Sequence, residues 1–469
     1  MIHYERDHRG KTSVVFFAKI RKGDALTTVF LVARYFGLNC DSRWSWPKQL
    51  LYYTYAVTLF LFNSYPMYFE IKDAYYHFLD RDYRTVFQII GVVINAVGYV
   101  FIIFNYYKHK REFFEVLALL RLSMEQSLLY APEIVRSVQP LRDKFAKRFL
   151  ILSIFAYELM YVIWCSPPVV TFFARLPDVN YSTLPLAYGR QNYGLNENEP
   201  VEFWLIIVIQ FLHGTACLTG ICFGNTLTPI LCILLGCQLD ILERALTQVG
   251  YNVEAKSKRA LFLAKLHSKN MPFNGGEMME FKTDMTDTLI IQSDRDYLTQ
   301  CIEHHQTCMR AVYKMRPILA PYLFVVLMTT IISVTNLMIT TAMYQSDALG
   351  TIIIINTGVI FVSLLVIMTW SLTMVRSKLS NVLRYLYNSK WSQLSECPSR
   401  KQDFLIVSQS SFQPVTFPLI MYGNLDFPRL YQLFNLAWNY FSLMKSVAGQ
   451  LKEAELHQHS DHIPHHMVT

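Results

Sequence analysis

The chain has 469 residues, 52% of them hydrophobic and only 17% charged, with a formal net charge of +8 and a mean hydropathy of +0.23. Soluble domains carry about 25% charged residues, so this composition argues against a soluble enzyme. The apolar excess is gathered into blocks close to the roughly 20 residues a helix needs to cross a bilayer, and the expected fold class is an all-α membrane protein.

In chain order, residues 1–24 mix acidic and basic side chains around one short apolar run at 14–18, so no cleavable signal peptide is read there. Residues 49–69, 85–107, 203–239, 317–346 and 348–375 contain no Asp, Glu, Lys or Arg, and 149–174 contains only Glu158. A seventh block, 430–444, is 15 residues long and ends at Lys445. That is short for a lipid-facing span and suits a helix sheltered by others or lining water. The stretches 108–148, 231–249 and 297–315 mix charged and apolar positions and read as helices continuing out of the membrane. The polar stretch 250–296, with Gly275-Gly276, reads as a flexible insertion.

Basic residues beside the spans set the orientation. Segments 1–48, 108–148 and 375–429 hold 25 basic and 12 acidic residues, whereas 70–84, 175–202 and 346–349 hold 5 basic and 9 acidic ones. This places the N-terminus in the cytoplasm and, with seven transmembrane helices, the C-terminus outside. The sequon Asn180-Tyr181-Ser182 falls in a loop assigned to the outside, where Asn180 can be glycosylated. The same orientation disfavours a G-protein-coupled receptor, the runner-up reading, whose N-terminus is outside. None of the nine cysteines lies in an outer loop, so they read as reduced packing residues. No pair of broken helices in corresponding halves suggests a transporter.

No serine elbow, catalytic Cys/His pair or phosphate-binding glycine loop is present, so no enzyme activity and no cofactor is expected. The positive charge is accounted for by the cytoplasmic flanks, which leaves no argument for nucleic acid. His304 and His305 point about 100 degrees apart on a helix and read as an interface pair, not a metal site. The tail residues His457, His459, His462, His465 and His466 read as a solvated, disordered tail. Asp80 to Arg84 reads as an interfacial anchor, and Glu158, inside a span, stands evenly between a functional carboxylate and a packing residue.

Several local motifs carry a resemblance. The fourth span ends in Gly236-Cys237-Gln238-Leu239-Asp240-Ile241-Leu242, and Cys301-Ile302-Glu303-His304-His305-Gln306 follows the insertion. The closing stretch holds Tyr387-Asn388-Ser389-Lys390-Trp391, Arg400-Lys401, Ser408-Gln409, Pro414, Gly423-Asn424 and Ala437 through Asn439-Tyr440-Phe441 to Ser446. In order and spacing these resemble the insect odorant receptors over most of the chain. The Thr-Tyr and Gln-Phe pairs of the related gustatory receptors are absent.

The resemblance implies a subunit of an odorant-gated, non-selective cation channel that works with the co-receptor Orco as a hetero-oligomer of four chains in the plasma membrane of olfactory sensory neurons. It divides the chain into a cytoplasmic N-terminus (1–48), transmembrane helices one to six (49–375), a cytoplasmic anchor segment (376–423), a pore-lining seventh helix (424–448) and an extracellular tail (449–469). It implies a pocket for a small apolar volatile ligand in the outer half of the bundle, with Phe87, Gly91, Tyr157, Tyr161, Trp164, Phe203, Ile207, Phe211 and Ile355 as candidate lining residues. It places Leu443 and Val447 at a hydrophobic gate and Ser446 at a polar ring of the pore. Asn225 stands where many members have Asp, the 250–296 insertion is long, and the tail beyond Lys445 favours a tuning subunit over Orco itself.

Overall fold

The computed structural model describes residues 2–6, 12–16, 25–35, 45–80, 83–175, 200–248, 294–343, 348–388, 417–419 and 423–461, with a few residues between 181 and 199. The insertion expected at 250–296 lies outside these residues but for its last three positions, and Asn180, Arg400, Lys401, Ser408, Gln409 and Pro414 lie outside them altogether. Nine helices carry the described fold: α1 Ala25–Tyr35, α2 Trp46–Leu79, α3 Tyr83–Lys108, α4 Lys110–Tyr130, α5 Pro132–Ala174, α6 Pro200–Thr247, α7 Asp294–Met343, α8 Ala348–Asn388 and α9 Phe427–Asp461. Two short antiparallel ladders, not foreseen, accompany them. One pairs Ile2–Arg6 (β1) with Thr12–Phe16 (β2), and the other pairs Pro418–Leu419 (β3) with Gly423–Asn424 (β4).

Local chemistry explains the helix boundaries. Pro47, Pro132 and Pro200 sit in first turns, where a missing N–H costs nothing and the fixed φ suits a helix. Asp426 accepts the Arg429 N–H at 3.0 Å and so caps α9, while its other oxygen lies 3.8 Å from Arg376 of α8. The last helix runs on through Asp461, past residue 448 and into the tail that the sequence reading left disordered. The reason is compositional: Gln450 to Leu456 are nearly all strong helix formers. Among the described residues three helical stretches, Pro132–Ala174, Gly224–Thr247 and Tyr297–Thr335, are long and apolar enough to cross a membrane.

α5 packs along α6, α6 against α8, and α3 and α4 against α7, with α9 lying on α7. The core is centred on the second half of α6, where nearly every residue from 224 to 242 is buried; a helix apolar on every side must be enclosed on every side. Three glycines let neighbours approach. A Cβ on Gly98 would stand 2.7 Å from Thr329, on Gly224 2.8 Å from Ile102, and on Gly236 2.6 Å from Met374. These are the α3–α7, α3–α6 and α6–α8 crossings, and small residues at such crossings are how membrane helices gain close packing.

At the end of the bundle where the basic residues gather, the two motifs around Gln238 and His304 meet across α4. Gln238 Oε1 accepts from Ser127 Oγ at 3.1 Å and Ser123 Oγ at 3.4 Å. Ser123 Oγ also lies 2.6 Å from His304 Nε2, and the Tyr130 hydroxyl lies 2.5 Å from His304 Nδ1. All five side chains are buried. A neutral imidazole donates from one nitrogen and accepts at the other. Donation from Tyr130 to Nδ1 and from Nε2–H to Ser123 leaves the Ser123 hydrogen for Gln238, so the seam runs in one direction through three helices. Beside it Asp240 of α6 holds both Arg142 of α5, at 2.8 Å, and Lys378 of α8. Glu115 of α4 binds Lys314 of α7 at 2.6 Å and Arg111 at 3.0 Å. Burial works against the Glu115 carboxylate, but these two cations outweigh it and hold its pKa below the usual range.

Burial, reinforced by neighbouring His305, pushes the His304 pKa down from 6.5 to about 3, and burial pushes His305 down to about 4. Both therefore stay neutral in the fold while the unfolded chain takes up protons below pH 6.5. The stability they contribute is complete above about pH 6.5 and is lost as pH falls from there toward 3. Thermal unfolding of the purified chain followed from about pH 8 downward should show a level midpoint, then a decline below about pH 6.5. His304→Leu should flatten that decline and, by stranding Tyr130 and Ser123, cost about 1–3 kcal/mol at neutral pH.

Candidate ligand-binding site

The far half of the bundle, at the start of α6 and the end of α5, is built from aromatic side chains. Residues 203, 206, 210 and 213 of α6 recur at helical spacing and are all buried. Phe203 packs edge-on against Trp204 at 5.8 Å and Tyr181 at 5.4 Å, and Phe172 of α5 closes the cluster edge-on to Trp204 at 5.1 Å. About three turns earlier on α5, Tyr161 donates its hydroxyl to the Gln210 carbonyl at 2.7 Å, and its ring lies 5.5 Å from that of Phe211. Phe211 is itself exposed and Ile207 half-buried. With the Tyr161 hydroxyl committed to the backbone, what this cluster offers a neighbour is ring face and ring edge, an apolar surface with few polar demands.

Tyr157 belongs to a deeper layer. Asn225 Nδ2 donates to the Tyr157 hydroxyl at 2.8 Å, and Asn225 Oδ1 accepts from the Tyr322 hydroxyl at 3.0 Å. One amide thus joins α5, α6 and α7, each partner buried. An amide suits this place because it donates to one phenol and accepts from the other; a carboxylate would only accept. The sequence reading noted Asn225 as a departure, and its partners give that departure a physical meaning.

Of the expected lining residues, Tyr161 and Phe211 meet on the α5–α6 seam, Phe203 joins the cluster with Trp204 and Tyr181, Ile207 lies on the same stretch of α6, and Tyr157 contacts Asn225 instead. The backbones of Phe87, Gly91, Trp164 and Ile355 fall in α3, α5 and α8, but their side-chain surroundings lie outside the described detail, as do those of Val447 in α9. Leu443 is 61% exposed in the single chain, and Ser446 and Lys445 are exposed beside it. Glu158 is half-buried. Among the described residues no three His, Cys, Asp or Glu side chains are grouped to hold a metal ion.

A buried Glu–His pair inside the bundle is not evident from the sequence. Glu70 of α2, 0% exposed, has its Oε1 3.5 Å from Nε2 of His213 of α6, 1% exposed. The charge-free block ends at Phe69, which made Glu70 look like a boundary, yet α2 continues to Leu79. His213 escaped because a count of Asp, Glu, Lys and Arg passes over histidine. Neither Glu70 oxygen has a hydrogen-bond partner in the described structure, so His213 is its main compensation.

Removing one member of such a pair leaves a buried polar group uncompensated, at about 3–5 kcal/mol. His213→Leu alone should therefore lower the unfolding midpoint and the yield of monodisperse protein sharply. The double change Glu70→Leu with His213→Leu should recover most of the loss, which fluorescence-detected size exclusion after graded heating will measure.

No curated relative matches the chain in sequence. In structure it is similar to the insect olfactory receptor OR5 from Machilis hrabei in complex with eugenol, with a TM-score of 0.65 at 11% identity, covering 90% of this chain and 97% of that one. A second structure of the same receptor, described without a ligand in its name, matches with a TM-score of 0.64 at 10% identity, covering 89% and 97%. At that identity the likeness establishes the fold. The sequence pattern of the family described as 7tm Odorant receptor matches residues 82–440, well over half of the chain and including the motifs that carried the resemblance as far as Tyr440, so the chain belongs to the odorant receptor family.

Proposed function

We propose that the chain is an odorant-binding subunit of a ligand-gated, non-selective cation channel, which assembles with the co-receptor Orco as a heterotetramer in the plasma membrane of olfactory sensory neurons. Its N-terminus is cytoplasmic, its C-terminus extracellular, and seven helices cross the bilayer. The distribution of basic residues along the sequence supports this orientation. The observation that carries the assembly is α9: Leu436, Trp438, Tyr440 and Leu443 are all exposed on it. Large apolar side chains on a helix at one side of a single chain call for partners or lipid, and a helix too short in its apolar block to face lipid alone is suited to line a shared pore. In this reading Leu443 and Val447, four residues apart and on one face, exclude water from the closed pore, and Ser446 contributes a polar ring.

The ligand is a small, apolar volatile molecule held in the outer half of the bundle by Tyr161, Phe203, Ile207 and Phe211, with Phe87, Gly91, Trp164 and Ile355 completing the lining. The Machilis receptor bound to eugenol shares this fold and supports a volatile aromatic as the right scale of ligand. Tyr157 acts from behind: through Asn225 it ties the pocket wall to α7, so that a shift of α5 is felt there.

Expressed alone in a heterologous cell, the chain should give little odorant-evoked current; with Orco it should conduct cations. Robust gated current without Orco would reject the obligate partnership. For the pocket, Tyr161→Ala removes a buried ring and about 1–3 kcal/mol of apolar contact, so the dose response to an activating odorant should move about tenfold or more at unchanged surface expression. An unmoved dose response would place the pocket elsewhere.

A further inference from the structure

α5 presents two different faces where its basic residues give way to apolar ones. Ala146, Leu150, Ser153 and Tyr157, at helical spacing, are buried in the bundle. The opposite side carries Leu141, 74% exposed, followed by exposed Phe145, Ile151, Leu152 and Phe155. Lys144 and Arg148 are exposed on this side and Lys147 is half-buried. At 1.5 Å rise per residue, the stretch from Lys144 to Phe155 is about 16 Å long, with cations at one end and hydrocarbon at the other.

Asp240 is held by Arg142 and Lys378, and a carboxyl oxygen of Asp143 is buried. Among the described residues, Lys144, Lys147 and Arg148 are joined to no acid. Three uncompensated cations within five residues make a positive surface, and the apolar side chains that continue from it along the helix face neither α6 nor water-seeking chemistry of their own.

We propose that this face of α5 holds an acidic phospholipid of the inner leaflet, with its phosphate against Lys144, Lys147 and Arg148 and its acyl chains along Ile151, Leu152 and Phe155. The inner leaflet rests on the cytoplasmic orientation given above. A phospholipid is the partner that matches both halves in this order: anion first, hydrocarbon after. A soluble phosphate would satisfy the cations and leave the apolar half unmatched. Since Phe155 lies two residues from Tyr157 and six from Tyr161, a lipid seated there braces the helix that forms one wall of the pocket.

The test uses the purified full chain exposed to vesicles of phosphatidylcholine alone or with phosphatidylinositol bisphosphate, with retained lipids counted by native mass spectrometry. The acidic lipid should be retained over phosphatidylcholine by about tenfold or more. Each charge removed should lower that retention about fivefold, so Lys144→Gln alone should give a clear loss and Lys144→Gln, Lys147→Gln, Arg148→Gln together a near-complete one. A control with Arg310→Gln and Arg384→Gln, exposed basic residues on other helices, should retain lipid like the wild type. Absence of preference in the wild type, undiminished retention by Lys144→Gln, equal loss in the control, or displacement by soluble inositol phosphate would each overturn the proposal. Vesicle lipid reaches both ends of the purified chain, so a negative result here would leave the orientation standing. An epitope tag at Met1 that stains intact cells would reverse the orientation and move the same site to the outer leaflet.

Discussion

The cost of burying a polar group without a partner governs this structure more than any single apolar contact. The bundle is rich in helices that pack through Leu, Ile and Val, and such contacts are tolerant of sliding by a turn. Hydrogen bonds are not. The seam from Tyr130 through His304 and Ser123 to Gln238 closes only when α4, α6 and α7 stand in one register. A slip would leave a buried imidazole, an amide and two hydroxyls without partners, each at about 1–3 kcal/mol. Asp240, shared by Arg142 and Lys378, adds α5 and α8 to the same fixed frame.

The other half of the bundle follows a different rule. Polar side chains there are few and sit beside one another: the Tyr161 hydroxyl bonds the Gln210 carbonyl, the phenols of Tyr157 and Tyr322 share one amide, and Glu70 lies beside His213. What remains available is aromatic surface. The two halves are linked through Asn225, which lies on α6 between the aromatic cluster and the enclosed second half of that helix. A rigid base and a polar-sparing upper layer are what a receptor for apolar ligands needs, since binding energy then goes into shape and not into rearranging charge.

Much of this was legible in the sequence because the physics involved is coarse. Counting charge-free residues located the long helices, and the mixed stretches at 108–148 and 297–315 were rightly read as helix. The motifs around Gln238 and His304 were seen, but not that they touch: residues 123, 238 and 304 are far apart in sequence, and only packing unites them. His304 and His305, expected as an interface pair, stand at the contact of α7 with α4, where both nitrogens of His304 are occupied by hydroxyls. Glu70 was missed because a charge at the end of an apolar block is read as the end of the span. The length of α9 was missed because the histidines of the tail drew attention away from the helix formers before them.

The way Tyr161 is held bears on how receptors of this kind diversify. Its hydroxyl bonds to a main-chain carbonyl with the Cys165 thiol beside it, and its ring rests on Phe211. A helical carbonyl at residue 210 already accepts from its own helix, so a mutation that removes the phenol leaves that carbonyl paired and frees only the Cys165 thiol, a weak hydrogen-bonding group. If the proposed pocket lies at this wall, odour preference can drift there by single substitutions, one ring or methyl at a time, without a compensating second change. Asn225 and His304 have no such freedom, since each serves two partners at once. Sensory novelty is cheap where the chain leans on its own backbone, and the scaffold is kept where side chains depend on one another.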